Sequence, residues 1–236
     1  MTTSRRIRWL AQWLGSAAGV SAATYGAYVA VAWLRYGDVT PPSSADEADL
    51  LLDRFMPTYD VVERHRVRVD APAAITFEAA AEMDLFRSPP IRAIFRGRER
   101  IMGSAHDDTR HPTALLAFVK SIGWGVLAER AGEEIVMGAV TQPWLADVVF
   151  RPLPPDEFAA FNQPDYVKIA WTVRADPIGD GESVFRTETR VAPTDAIARA
   201  KFRRYWSFAS PGIVLIRRLM LGPLKAEAER RARALR

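Results

Sequence analysis

The last third of the chain, Ser183 to Arg236, limits the possible folds most. The run S-V-F-R-T-E-T-R-V alternates, with Phe185, Thr187, Thr189 and Val191 on one strand face and Arg186, Glu188 and Arg190 on the other. It leads straight into a long helical pattern. Thr194 is placed as its N-cap and Asp195 at the positive end of its dipole. Ile197, Phe202, Tyr205, Trp206, Ala209, Ile213, Ile216, Leu219 and Met220 then recur at helical spacing. Pro211-Gly212 is expected to divide this helix. Its first part would line a cavity with Phe202 and Trp206. Its second would carry an apolar stripe flanked by Arg217, Arg218, Lys225, Arg230, Arg231 and Arg233. A closing strand feeding one long helix points to an apolar cavity between the two.

Upstream, the pattern predicts strands at 59–70, 123–129, 133–140, about 146–150, 166–175 and 182–191. Helical pieces are expected at 73–83, 90–100 and 154–161. The fold class is therefore α+β, an antiparallel sheet packed on a long C-terminal helix. One sheet face should be covered and the other wet. On the wet face Arg64, Arg66 and Arg68 would meet Arg186, Glu188 and Arg190 as a solvated, structural charge ladder. On the covered face of the first strand stand two ionisable groups, Glu63 and His65. Buried charge is costly unless paired. They belong either at the sheet's rim or at the polar end of a cavity, where they would fix a ligand's head.

The other candidate ligand-binding residues are Trp124, Trp171, Thr187, Thr189, Phe202 and Trp206, with plain core as the competing reading for the helix aromatics. Trp144 is placed at the cavity mouth. If the cavity is catalytic, Glu63 and His65 are its acid–base pair.

The run T-E-T-R-V, then T-D-A-x-A-R-x-x-F-R-R-Y-W and P-G-x-x-x-I-R-R, is similar to the C-terminal region of bacterial members of the SRPBCC superfamily, the helix-grip fold of START and Bet v 1-like proteins. Y-D-V-V-E-R-H-R-V-R-V-D-A-P, Tyr59 to Pro72, and E-E-I-V-M-G from Glu133 extend the resemblance, which covers about Met56 to Arg231. It implies a helix-grip domain holding a small apolar or amphipathic ligand. The alternative it carries is a cyclase- or aromatase-like enzyme in the same cavity.

Trp9 to Leu34 holds no charged residue, which is longer than the roughly 20 residues a bilayer span needs. Arg5, Arg6 and Arg8 precede it, and Trp9, Trp13, Trp33 and Tyr36 flank it as interfacial aromatics do. The expected organisation is a basic tail at 1–8, a transmembrane helix at 9–34, a solvated Pro- and acid-rich linker at 35–55 and a domain at 56–236. Gly15 and Gly19 offer a helix-dimer face. The Arg bias puts the N-terminus in the cytoplasm and the domain outside it. A leader cleaved near Val20-Ser21-Ala22, or a start near Met56, are the alternatives.

Charge is uneven: from Asp195 onward 11 Lys and Arg outnumber 3 Asp and Glu. A basic helix on an acidic body faces something anionic, such as lipid head groups, or is a solvated face. The absence of cysteine excludes disulfides and thiolate chemistry. His106 and His111 flank Asp107 and Asp108 in a polar loop, and the loose spacing reads as solvated loop rather than metal site. No cofactor motif, nucleophile elbow or nucleic-acid module is present.

Overall fold

The computed structural model describes residues 23–104 and 111–235. Its centre is a five-stranded antiparallel sheet of β1 (Val61–Val69), β2 (Gly125–Arg130), β3 (Glu134–Thr141), β4 (Val167–Gly179) and β5 (Glu182–Pro193). The strand order is β1-β5-β4-β3-β2, so every strand pair but β1–β5 is a sequential connection. Preceding the sheet are α1, helical over residues 23–34, and the short α2 (Leu50–Asp53). The remaining helices are α3 (Ala73–Ala81), α4 (Pro89–Met102), α5 (Leu115–Ser121), α6 (Pro155–Ala160) and α7 (Ala196–Ala234). This is the expected α+β layout of an antiparallel sheet against a long C-terminal helix.

The inner face of the sheet packs on α7, α3 and α5. Ile135, Met137, Trp171, Val173, Ala175 and Phe185 meet Met220, Leu224, Ala228 and Ala232 of α7. Those four α7 positions follow helical spacing, which is why one stripe of the helix is buried along its C-terminal part. Asp195, not Thr194, caps the helix: its carboxylate accepts from Ala198 N at 2.7 Å and from Asp165 N at 2.7 Å. The expected division at Pro211-Gly212 does not occur. α7 runs unbroken for 39 residues through both Pro211 and Pro223. Each proline forfeits one backbone donor. Buried positions lie on both sides of the first proline, Ser207 and Ser210 before it and Met220 and Leu224 after it, and anchor both halves of one helix, although none of residues 211–219 is itself fully buried.

The expectation of one wet face is also corrected. Strand β3 is buried along its whole length. Leu51, Leu52, Phe55 and Met56 fold back over the outer face and pack with Leu127, Val136, Val140, Ala170 and Phe158 of α6. What reads as a solvated linker is thus, over its last residues, part of the domain's packing. It also seals the Glu188–Arg190 part of the charge ladder, while Arg66 and Arg68 stay exposed as expected. Arg190 is 1% exposed and Glu188 5% exposed. Arg190 donates to Glu188 (2.7 Å), to Asp53 (2.6 Å) and to the Met56 carbonyl (2.8 Å), and its guanidinium lies 4.6 Å from the Tyr59 ring. Arg64 holds the other side of Glu188 at 2.9 Å. The Arg190–Glu188 pair is thus buried rather than solvated, and Asp53 joins it from the exposed rim.

The expected strand at 146–150 is absent; Arg151 makes only an isolated bridge to Val140. α5 occupies a stretch left unassigned by the sequence pattern. Most of the expected transmembrane segment, with Gly15 and Gly19, lies outside the described residues. Among the described residues no helix is long and apolar enough to cross a membrane. α1 lies along the first half of α7: Tyr25 Oη donates to the Phe208 carbonyl at 2.8 Å, and Arg203 donates to the Trp33 carbonyl at 2.8 Å with its guanidinium 4.4 Å from the Trp33 ring.

Two expected outcomes follow from the outer seam. Arg190→Ala takes from buried Glu188 one of its two arginine partners and leaves the Met56 carbonyl without its donor, and should lower unfolding free energy in denaturant titration by about 3 kcal/mol. Glu134, 2% exposed, is pushed up to about 7 by burial and then by Asp49, against the smaller pull of Arg174 and Arg130. Its folded form holds a proton that the unfolded chain has lost, so stability should fall as pH rises from about 4.5 to about 7. Glu134→Gln should flatten that slope in thermal unfolding scans between pH 5 and 8.

Candidate functional site

Register builds the site. Pairing of β1 with β5 sets Glu63 opposite Thr189 and His65 opposite Thr187, and pairing of β4 with β5 sets Trp171 opposite Thr189. All five side chains share the inner face. Cross-strand neighbours lie about 5 Å apart, so these residues form one continuous polar layer beneath α7. Trp124 joins it, its ring 6.1 Å from Trp171 in an edge-on arrangement. Gly123 permits this entry: its φ is +102°, and a Cβ there would meet the Phe150 carbonyl oxygen at 2.2 Å. Only glycine tolerates both conditions, and the turn it makes delivers Trp124 to the sheet.

The central residue of the layer is one the sequence pattern assigned to the basic flank. Arg217 of α7 points inward. Its Nη2 donates to Thr189 Oγ1 at 2.9 Å, and its guanidinium stands 5.4 Å from the Trp171 ring centre. Desolvation lowers its pKa to about 10, with the Glu63 carboxylate opposing the shift. The group therefore stays cationic at neutral pH inside the protein. Spacing carried the signal: Ile213, Arg217, Met220 and Leu224 fall at i, i+4, i+7 and i+11, so Arg217 belongs to the buried stripe.

The layer is polar and incompletely paired. His65 Nε2 lies 3.5 Å from Glu63 Oε2, with side-chain exposures of 9% and 26%. Neither His65 Nε2 nor Thr187 Oγ1 has a hydrogen-bond partner, and both are buried. Ser210 Oγ, two turns from Arg217 on α7, is buried without a partner as well. Native interiors leave few such atoms, so two of them on the strands beneath one desolvated cation, and a third two turns along its helix, mark an unusual place. The guanidinium Nε and Nη1 make no hydrogen bond among the described residues, yet they are not sealed away as those three atoms are. Accessible space therefore adjoins a deeply placed cation.

Phe202 and Trp206 are not brought to this layer. They stack on each other at 5.9 Å and pack with Val61, Val167 and Val191, Phe202 being fully buried. Plain core, the competing reading for these aromatics, is where the structure places them. Trp144 packs on the same cluster under Lys201, whose Nζ is 5.7 Å from its ring. His111 bonds Ser121 Oγ through Nδ1 at 2.9 Å, while His106, Asp107 and Asp108 lie outside the described residues.

Two open clefts occur elsewhere. A polar basin of about 110 Å³ on the outer face is ringed by the charge ladder. An apolar cleft of about 520 Å³ separates α1 from α7, lined by Val29, Ala30, Trp33, Leu34 and Phe208.

No protein-family model and no curated protein sequence matches the chain. Among solved structures it is similar to protein Mll3558 from Rhizobium loti, at 14% identity and a TM-score of 0.28, over 66% of this chain and 96% of that one. It is similar to CalU16 from Micromonospora echinospora at 12% identity and a TM-score of 0.24, over 74% and 98%. The Zhui aromatase/cyclase from Streptomyces sp. R1128 aligns at 14% identity and a TM-score of 0.23, over 74% and 97%. Likenesses this distant carry no function across.

The two threonines of the layer should respond oppositely to the same change. Thr189→Val removes a bond to a half-buried cation and should cost about 1–3 kcal/mol. Thr187→Val removes a buried hydroxyl with no partner, and should leave stability unchanged or raise it. Paired denaturant titrations measure both.

Proposed function

We propose that this chain is a membrane-tethered binding module that holds a small amphipathic molecule between the inner sheet face and α7. The observation that carries the reading is the partly unpaired polar layer around Arg217. A cation, two threonines and a histidine converge there beneath a helix, with Trp124 and Trp171 beside them and aliphatic side chains continuing along the sheet. Sites for small molecules combine a mostly apolar wall with a few placed polar groups in this way. Buried polar atoms without partners lower stability, and their retention is accounted for if a ligand completes them.

The tethered part rests on the charge-free run from Trp9 to Leu34 and on the α1–α7 surface. Tyr25, Tyr28, Trp33 and Phe208 stay exposed there beside an apolar cleft. Aromatics of this kind favour the head-group layer of a bilayer.

A second reading is favoured by one observation, the contact of the Glu63 carboxylate with His65 at 3.5 Å. Such a pair can pass a proton, and in a cyclase- or aromatase-like enzyme it would act on the molecule held above it.

Native mass spectrometry of full-length protein released from maltoside micelles should show a co-purifying lipid-like mass. Val67→Trp, which places an indole in the layer one pleat from His65, should abolish it while leaving the circular dichroism spectrum intact. Loss of no mass, together with no binding of a neutral solvatochromic dye to either protein, overturns the reading. If the pair is catalytic, wild type and Glu63→Gln should release molecules of different mass.

A further inference from the structure

The chemistry beside Arg217 selects one class of head group. Resting on the ligand-binding reading above, we propose that the bound molecule is an acid, whose anionic head docks on the Arg217 guanidinium with Thr187 and His65 completing its hydrogen bonds.

A guanidinium carries five N–H groups and no acceptor. Thr189 takes one of them, from Nη2. Four remain, disposed so that either the Nε edge or the Nη1–Nη2 end can meet two oxygens at once, the arrangement that makes arginine a bidentate acid receptor. No carboxylate of the described residues forms an ion pair with Arg217; Glu63 influences its charge from farther off and makes its own close contact with His65 instead. A desolvated cation without a bonded counter-ion is among the costliest arrangements in a protein interior. A neutral hydroxyl head leaves that charge uncompensated. An anionic head removes the cost and meets the empty donors.

The surroundings fit the same class. Thr187 Oγ1 lies on the same strand face two residues from Thr189, is buried, and has no partner. As a hydroxyl it can donate to an oxyanion. His65 Nε2, paired in register with Thr187, is buried and equally free of a hydrogen bond. Trp171 closes one side of the guanidinium plane, which leaves the edges as the approach.

The test uses full-length protein in maltoside micelles, with empty micelles as the control, and equilibrium dialysis of radiolabelled decanoate and decan-1-ol. Wild type should bind the acid about tenfold or more tightly than the alcohol. Arg217→Met should bring the two affinities together, and Arg217→Lys should keep part of the preference as a point charge. Decyl phosphate, set against decanoate, tells a phosphorylated head from a carboxylate, and tighter binding of either than of the alcohol supports the proposal. Equal binding of acid and alcohol by wild type overturns it while the ligand-binding reading stands; so does a preference that survives Arg217→Met. No binding of either compound, with no dye site sensitive to Val67→Trp, overturns both. Should Arg217→Met fail to fold, Thr187→Val decides: it should weaken decanoate about threefold and leave decan-1-ol unchanged.

Discussion

Strand β5 is under a constraint that the rest of the molecule inherits: both of its faces are buried, and both are polar. Odd positions Thr187 and Thr189 face α7, while even positions Glu188 and Arg190 face the segment at 49–56. A slip of one residue would exchange the two sets. It would press Glu188 and Arg190 against the apolar stripe of α7, and would turn the threonines toward Asp53 and Arg64. Neither network could then be satisfied. The register of β1 and β4 on either side of β5 follows from this requirement, and with it the meeting of Glu63, His65 and Trp171.

The two networks solve the burial of charge differently. On the outer face the charges of the β5 seam have opposites within bonding distance: Arg190 with Glu188 and Asp53, Arg64 with Glu188, and Arg174 with Asp176 at 2.7 Å. That arrangement is closed. On the inner face Arg217 has one neutral partner and an aromatic neighbour, and adjacent polar atoms have none. One chain thus contains both a completed buried ion-pair lattice and an incomplete one. The contrast sets the inner layer apart as the one whose polar groups are left incomplete.

Much of this was legible in the residues. The alternation of β1, β4 and β5 and the helical stripe of α7 announce the sheet, its helix and the inner position of Glu63, His65, Thr187 and Thr189, because periods of 2 and 3.6 are local properties. Arg217 was hidden by its type rather than its position. An arginine in a basic helix reads as solvent-facing, although its spacing from Ile213, Met220 and Leu224 places it on the stripe. Burial of Glu188 and Arg190 was not legible, since it depends on Asp53 and Met56 returning from more than 130 positions away. The same holds for Pro211, where a local rule gives way to packing on both sides of it. The 146–150 run fails as a strand because it sits beyond the end of β3 with no full-length neighbour to pair with.

The return of residues 49–56 over the outer face also sets a timetable. These residues are made early, yet their partners on β3, β4 and β5 follow about 80 to 140 positions later. At ribosomal rates of roughly 5–20 residues per second, Leu51, Leu52, Phe55 and Met56 wait for several seconds or more without the surface that covers them. Contacts this far apart in sequence also close slowly once available. The nascent chain must therefore carry an exposed apolar segment beside its equally apolar start until nearly the whole sheet has emerged. Synthesis and assembly of this protein are coupled through a delay that its final packing erases from view.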